Sequence, residues 1–81
     1  MNYLNKEIVV IGLGYVGLPL AIKLASHFKV IGYDVSKKRI TELRNNYDNT
    51  KEINKNILTK TKNIFFTFDK SSIRKKNIYI I

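Results

Sequence analysis

The sequence predicts an α/β fold: a parallel sheet of about one βαβαβ half plus a fourth strand, with helices as the crossovers. Three observations carry that reading. Short β-branched apolar runs alternate with segments of helical spacing along the whole chain. The first run leads directly into a glycine-rich turn that opens a helix, and the second ends on an acid. At 81 residues the chain is at most one small domain.

Glu7-Ile8-Val9-Val10-Ile11 is continuously apolar after its first residue, which suits a parallel strand buried on both faces. Gly12-Leu13-Gly14-Tyr15-Val16-Gly17 forms the turn. From Tyr15 to about His27, Leu20, Leu24 and Phe28 recur at helical spacing, with Ala21 and Ala25 beside them. Small alanines on that face let a helix lie close to a sheet. Pro19 falls near the helix start, where few intrahelical bonds are at risk. Lys29 to Tyr33 is a second strand, and it delivers Asp34 at its C-terminal end. Ser36 suits the cap of the next helix, whose apolar Ile40 and Leu43 lie three apart. That helix gives out at Asn45-Asn46.

Residues Tyr47 to Lys51 are polar and turn-like, and Ile53, Ile57 and Leu58 suggest a short amphipathic helix. Asn63 to Phe68 reads as a third strand, Ser71 to Lys75 as a helical turn, and Asn77 to Ile81 as a fourth strand. The order implies a parallel sheet with strands arranged 3-2-1-4 if it is doubly wound, which is the Rossmann-like arrangement. A two-half fold of that kind needs more chain, so 1–81 is expected to be an incomplete N-terminal domain. An apolar strand at Ile81 would leave a sticky edge, so Ile81 reads as a truncation point and that edge as a route to self-association.

Composition excludes several functions. There is no cysteine, hence no disulfide, thiolate metal site or cysteine nucleophile. No cluster has metal-ligand spacing. No apolar run approaches the roughly 20 residues that span a bilayer, and the N-terminus lacks a signal-peptide core, so a soluble, cytoplasmic chain without membrane partners is expected. The formal charge is +9, from 15 Lys+Arg against 6 Asp+Glu. Nucleic-acid binding wants basic residues on one face or stripe. Here Lys6, Lys23, Lys29, Lys51, Lys55, Lys60, Lys62 and Lys70 are scattered through every segment, which points to compositional bias and away from a nucleic-acid partner.

The turn carries the functional signal. Glycines spaced G-x-G-x-x-G are weak evidence alone, but here they follow a buried-type strand and open an amphipathic helix. Asp34 comes 22 positions after Gly12, and a dinucleotide fingerprint expects an acid after about 20. Gly12 permits the tight turn, Gly14 lets backbone approach a pyrophosphate, and Gly17 lets helix pack on sheet. The amides around Tyr15 and Val16 would face the diphosphate at the helix N-terminus. Asp34 would accept hydrogen bonds from the ribose hydroxyls and repel a 2′-phosphate, favouring NAD over NADP. Proteins binding FAD or S-adenosylmethionine also use a glycine-rich turn and a second-strand acid, so the fingerprint alone leaves those ligands open.

Other residues support blander readings. Lys37, Lys38 and Arg39 begin a helix, where cations are mildly disfavoured; spacing alone suggests a solvated basic face, with Arg39 stacking on an adenine ring as the alternative. His27 is the single histidine and suits a surface position near a helix C-terminus. Tyr47, Tyr79 and the Phe65-Phe66-Phe68 run are expected in the core or strands. No nucleophile–base pair stands out, so the sequence shows a binding site and no catalytic residue.

The stretch Val10-Ile11-Gly12-Leu13-Gly14-Tyr15-Val16-Gly17-Leu18-Pro19-Leu20-Ala21 resembles the N-terminal signature of the UDP-glucose/GDP-mannose dehydrogenase family. The distinctive part is Tyr-Val-Gly-Leu-Pro-Leu-Ala. The resemblance continues through Val30-Ile31-Gly32-Tyr33-Asp34 and Lys38-Arg39-Ile40-x-x-Leu43, and covers nearly the whole chain. Asp48-x-Thr50-x-Glu52 is similar to the UDP-N-acetylhexosamine 6-dehydrogenase branch of the Vi-antigen type. The resemblance implies an NAD-dependent, two-step oxidation of a sugar C6 alcohol to a carboxylate for surface polysaccharide. It places Gly12, Gly14, Tyr15, Val16 and Gly17 at the pyrophosphate, Asp34 at the ribose and Arg39 near the adenosine. The family's catalytic cysteine and lysine, and the domain that binds the UDP-sugar, have no counterpart here. This chain alone is therefore expected to show no turnover. A stand-alone nucleotide-binding or interaction module is the alternative.

Overall fold

The computed structural model describes residues 6–74, 76 and 78–81. Four strands, β1 (Glu7–Ile11), β2 (Lys29–Tyr33), β3 (Ile64–Thr67) and β4 (Ile78–Ile80), form one sheet in the order β3-β2-β1-β4. Every pairing is parallel, with Val9 opposite both Ile31 and Tyr79, and Ile31 opposite Phe65. This is the 3-2-1-4 arrangement predicted for a Rossmann-like half. Its crossovers carry α1 (Gly17–Leu24), α2 (Lys37–Arg44), α3 (Lys55–Lys60) and a 3-10 turn at Lys70–Ile73. Lys75 and Asn77, the predicted end of that turn and start of β4, lie outside the described residues.

The apolar run of β1 is buried on both faces, as its unbroken hydrophobicity predicts. Ile8 and Val10 point to the side covered by helices, where they meet Leu18 and Ala21 of α1, Ile40 and Leu43 of α2, and Leu58 of α3. Val9 points the other way and groups with Ile31 and Tyr33, partly covered by Ile73.

α1 is shorter than its spacing suggests and sits on a different stripe. It begins at Gly17 because Tyr15 and Val16 remain in the turn, and Val16 has no side-chain cap bond. It ends at Leu24 because the following amides tighten to i→i−3 bonds, Ser26 N–H to the Lys23 carbonyl and His27 N–H to that of Leu24. Leu18, Ala21 and Ala25 are the buried positions; Leu24 and Phe28 pack only at the margin, and Leu20 is half-buried. The helix lies on its small residues, as the alanines suggested, so the larger leucines flank the contact.

The aromatic expectation, core or strand, holds for Phe65, Phe66 and Tyr79, which lie in β3 and β4, and fails for Tyr47 and Phe68. Phe66 is buried in the helix-side core, but Phe65, Phe68, Tyr47 and Tyr79 are exposed. Alternation along β3 turns Phe65 to the face opposite Phe66, and β3 stops before Phe68. Both exposed phenylalanines are flanked by cations instead: Arg44 lies 5.6 Å from the Phe65 ring centroid and Lys37 5.4 Å from that of Phe68. The Tyr79 hydroxyl donates to the Ile73 carbonyl, tying the 3-10 turn to β4. His27 lies on the surface, edge-on to Phe28.

Candidate dinucleotide site

Parallel register brings the C-terminal ends of β1, β2 and β3 to one edge. Gly12 N–H donates to the Tyr33 carbonyl at 2.8 Å, and Asp34 N–H to that of Thr67 at 3.2 Å. The glycine turn leaves β1 and Asp34 leaves β2 side by side. Gly12 has φ +95°, a conformation an L side chain rarely adopts, and it turns the chain from strand to helix. Gly17 answers a different need: a Cβ there would lie 1.7 Å from the Gly12 carbonyl oxygen. Gly14 is the reverse, since a Cβ built on it meets nothing within 4 Å. Tyr15 and Val16 beside it are 67% and 80% exposed. The outer side of the turn is thus open backbone at the start of α1.

Asp34 is tied into this turn. Its Oδ2 accepts the Leu13 N–H and its Oδ1 the Ser36 N–H, both at 2.9 Å. A carboxylate offers about four acceptor positions, so capacity remains for a ribose diol. Ser36 caps α2 as predicted, its hydroxyl accepting the Arg39 N–H at 3.1 Å.

Arg39 departs from the solvated-face reading. Lys37 and Lys38 are exposed, but Arg39 is buried. Its Nε donates to the Leu13 carbonyl at 2.7 Å, inside the glycine turn. Its Nη1 donates to Asp48 Oδ1 at 2.8 Å and to Asn49 Oδ1 at 3.2 Å, with Glu42 Oε1 3.9 Å away. Nη2 is buried without a hydrogen-bond partner among the described residues.

Asp48 was legible in the sequence only as part of the Asp-x-Thr-x-Glu stretch, without a role. Its side chain is wholly buried and accepts five hydrogen bonds: from Arg39 and from the Thr50 amide and hydroxyl on Oδ1, and from the Glu52 and Ile53 amides on Oδ2. Burial pushes its carboxyl pKa up, but the Thr50, Ile53 and Arg39 hydrogen bonds outweigh it and bring it down to about 2. An Asp followed two residues later by Thr is a local turn signature that marks such a hub. The Arg39 partnership, nine residues back, has no sequence mark.

Residues 6–81 match the NAD binding domain of the UDP-glucose/GDP-mannose dehydrogenase family. The chain belongs to that family. Its similarity to Protein CapL of Staphylococcus aureus is 46% identity over 78 residues, covering 96% of this chain and 18% of CapL. The UDP-N-acetyl-D-glucosamine 6-dehydrogenase of Pseudomonas aeruginosa is 39% identical over 77 residues, covering 95% of this chain and 18% of that protein. The structure of a UDP-D-ManNAc dehydrogenase from Pyrococcus horikoshii superposes with a TM-score of 0.79 at 28% identity, over 90% of this chain and 19% of that one. The chain therefore spans less than a fifth of the length of these relatives. Family membership identifies NAD as the ligand among the three that the fingerprint leaves open. The residues fit it, with open backbone at Gly14 and an acid at the end of β2. Among the described residues no group of three or more His, Cys, Asp or Glu could hold a metal, and no helix is long and apolar enough to cross a membrane.

Proposed function

We propose that this chain holds the adenosine diphosphate part of NAD for a cytoplasmic nucleotide-sugar 6-dehydrogenase. The substrate would be a UDP-N-acetylhexosamine or UDP-glucose, oxidised at C6 from alcohol to carboxylate. The observation that carries this is the open outer side of Gly14, on the same sheet edge as Asp34. Gly12, Gly14, Tyr15, Val16 and Gly17 form the diphosphate cradle, where backbone N–H groups and the start of α1 favour negative charge. Asp34 takes the ribose hydroxyls, and its charge disfavours a phosphorylated ribose. Arg39 would lie near the adenosine as the family resemblance implies, with its guanidinium bonded inward to the Leu13 carbonyl and Asp48. NAD supplies the hydride acceptor. The chain would supply binding and orientation; its 81 residues contain no cysteine, the residue to which the family resemblance assigns the sugar chemistry. The N-acetylhexosamine reading rests on Asp48-x-Thr50-x-Glu52 and on the names of the relatives.

Gly14→Ala tests the assignment, because its added methyl meets nothing within 4 Å among the described residues and should leave folding unchanged. Calorimetric titration should show NAD affinity reduced about tenfold or more, with thermal stability preserved. Unchanged affinity would place the diphosphate elsewhere.

A further inference from the structure

Both backbone groups of Leu13, between the first two glycines of the turn, are bonded inward. Its N–H goes to Asp34 Oδ2 and its carbonyl to Arg39 Nε. A trans peptide is planar, with C=O and N–H directed oppositely. No cis peptide occurs among the described residues. Holding the Leu13 carbonyl against the buried guanidinium therefore directs the Gly14 N–H away from Arg39, and a Cβ on Gly14 meets nothing within 4 Å among the described residues. The guanidinium is itself held by Asp48, whose carboxylate is fixed by Thr50, Glu52 and Ile53. Nothing in this chain of contacts requires Asp48 to touch a ligand, and it lies 34 residues beyond Gly14 in sequence.

We propose that Arg39 and Asp48 form a positioning latch: Asp48 holds the Arg39 guanidinium, which fixes the Leu13–Gly14 peptide with the Gly14 N–H facing the diphosphate side. The latch preforms an anion-binding amide in the free protein, so binding does not have to reorient that peptide. Its functional meaning rests on the diphosphate assignment above. The pair is specific in geometry. A lysine at 39 keeps the charge but lacks the planar fork that reaches the Leu13 carbonyl and Asp48 at once.

The test follows amide hydrogen exchange and ¹⁵N–¹H shifts of Leu13 and Gly14 by NMR on the full chain, with the Val9 amide as core reference. The variants are Arg39→Lys and Asp48→Asn. Thr50→Val, which removes one donor from the Asp48 carboxylate, stands in if Asp48→Asn does not fold. The latch is supported if the Gly14 shifts move while the Leu13 N–H, held by Asp34, keeps its protection relative to Val9. A merely structural pair would leave the Gly14 shifts in place, or loosen the turn so that Leu13 loses protection relative to Val9, and either result overturns the proposal. This readout needs no ligand.

NAD titrations then separate the two readings. If Gly14→Ala loses affinity and Arg39→Lys does not, the latch is wrong and the diphosphate assignment stands. If Arg39→Lys shifts the Gly14 amide while Gly14→Ala binds NAD normally, the latch stands and the diphosphate assignment fails.

Discussion

On its inner side the glycine turn has no slack. A Cβ on Gly17 would collide with the Gly12 carbonyl oxygen, and Leu13 is fully buried with both backbone groups bonded. On its outer side, two residues from Leu13, Tyr15 projects into solvent, and a Cβ on Gly14 meets nothing. The same six-residue motif thus contains glycines required for unrelated reasons. Gly17 is demanded by the fold itself, whatever the ligand. No contact among the described residues demands a glycine at 14, where a Cβ meets nothing within 4 Å. Stability and binding should therefore separate along the turn.

The hardest break is expected at Gly17. With a methyl group 1.7 Å from a backbone oxygen, Gly17→Ala requires α1 to move away from β1, and no flexible side chain can absorb the overlap. We expect a loss of about 3 kcal/mol or more in folding stability, with a correspondingly lower thermal midpoint. Thermal denaturation followed by circular dichroism measures it. A midpoint equal to that of the parent chain would show that helix and turn are not locked together, and would remove the inner half of the contrast.

A second effect, on the order of 2 kcal/mol, is expected from acid. The Asp48 carboxyl sits at about 2 in the folded chain, below the ordinary aspartate value of about 3.9 in the unfolded one. Its stabilisation is fully present above the unfolded value and is lost as pH falls through the folded one, so the erosion runs from roughly pH 5 to below pH 2. Asp69 is also lowered, by the Ser71 amide and hydroxyl, so acid loss in the parent chain is composite. The difference between the parent and Asp48→Asn isolates the inner anchor. Urea unfolding of both from pH 7 to pH 2 should give curves that converge at the acid end. Curves that stay parallel would mean that the hub does not carry the carboxylate's charge as the hydrogen bonds indicate.

How much of this was visible beforehand depended on range. β1 was legible to the residue because a buried parallel strand is written as an unbroken β-branched run, β2 because Val30-Ile31 lead through Gly32-Tyr33 to an acid, and the strand order followed from alternation with helices. Gly12, Gly14, Gly17 and Asp34 were legible because one turn and one register bring them together. Ser36 was legible as a local cap. The position of Arg39 was not: its helical spacing resembles that of Lys37 and Lys38, and only the packing of α2 beneath the turn separates a buried guanidinium from two exposed ammonium groups. Its contact with Asp48 depends on how Tyr47–Ile53 folds back, with Lys51 in the left-handed region, and no periodic pattern encodes that. Tyr47 and Phe68 depart from the core-or-strand expectation, while Phe65 and Tyr79 keep to their strands yet are exposed. Phe65 and Tyr79 have strand-type chemistry, yet hydrophobicity does not say which face of a strand is covered.

The smallest effect is expected on the outer side, and Val16→Ser is the informative case. Val16 caps α1 with a side chain that makes no cap bond, so serine, a preferred cap, would ordinarily stabilise the helix by about 1 kcal/mol. Here it should not. A cap hydroxyl accepts from the second or third helical N–H; the third residue is Pro19, which has none, and the second, Leu18, already donates to the Gly14 carbonyl at 3.2 Å. Val16 also holds helical dihedrals, φ −100° and ψ −46°, in place of the extended ones a capping serine uses. We therefore expect Val16→Ser to change stability by less than about 0.5 kcal/mol and NAD affinity by less than about twofold, since the turn offers its backbone there and not its side chain. A gain near the full cap value would show that the Leu18 N–H can leave Gly14, and that the outer side of the turn adjusts where the inner side does not.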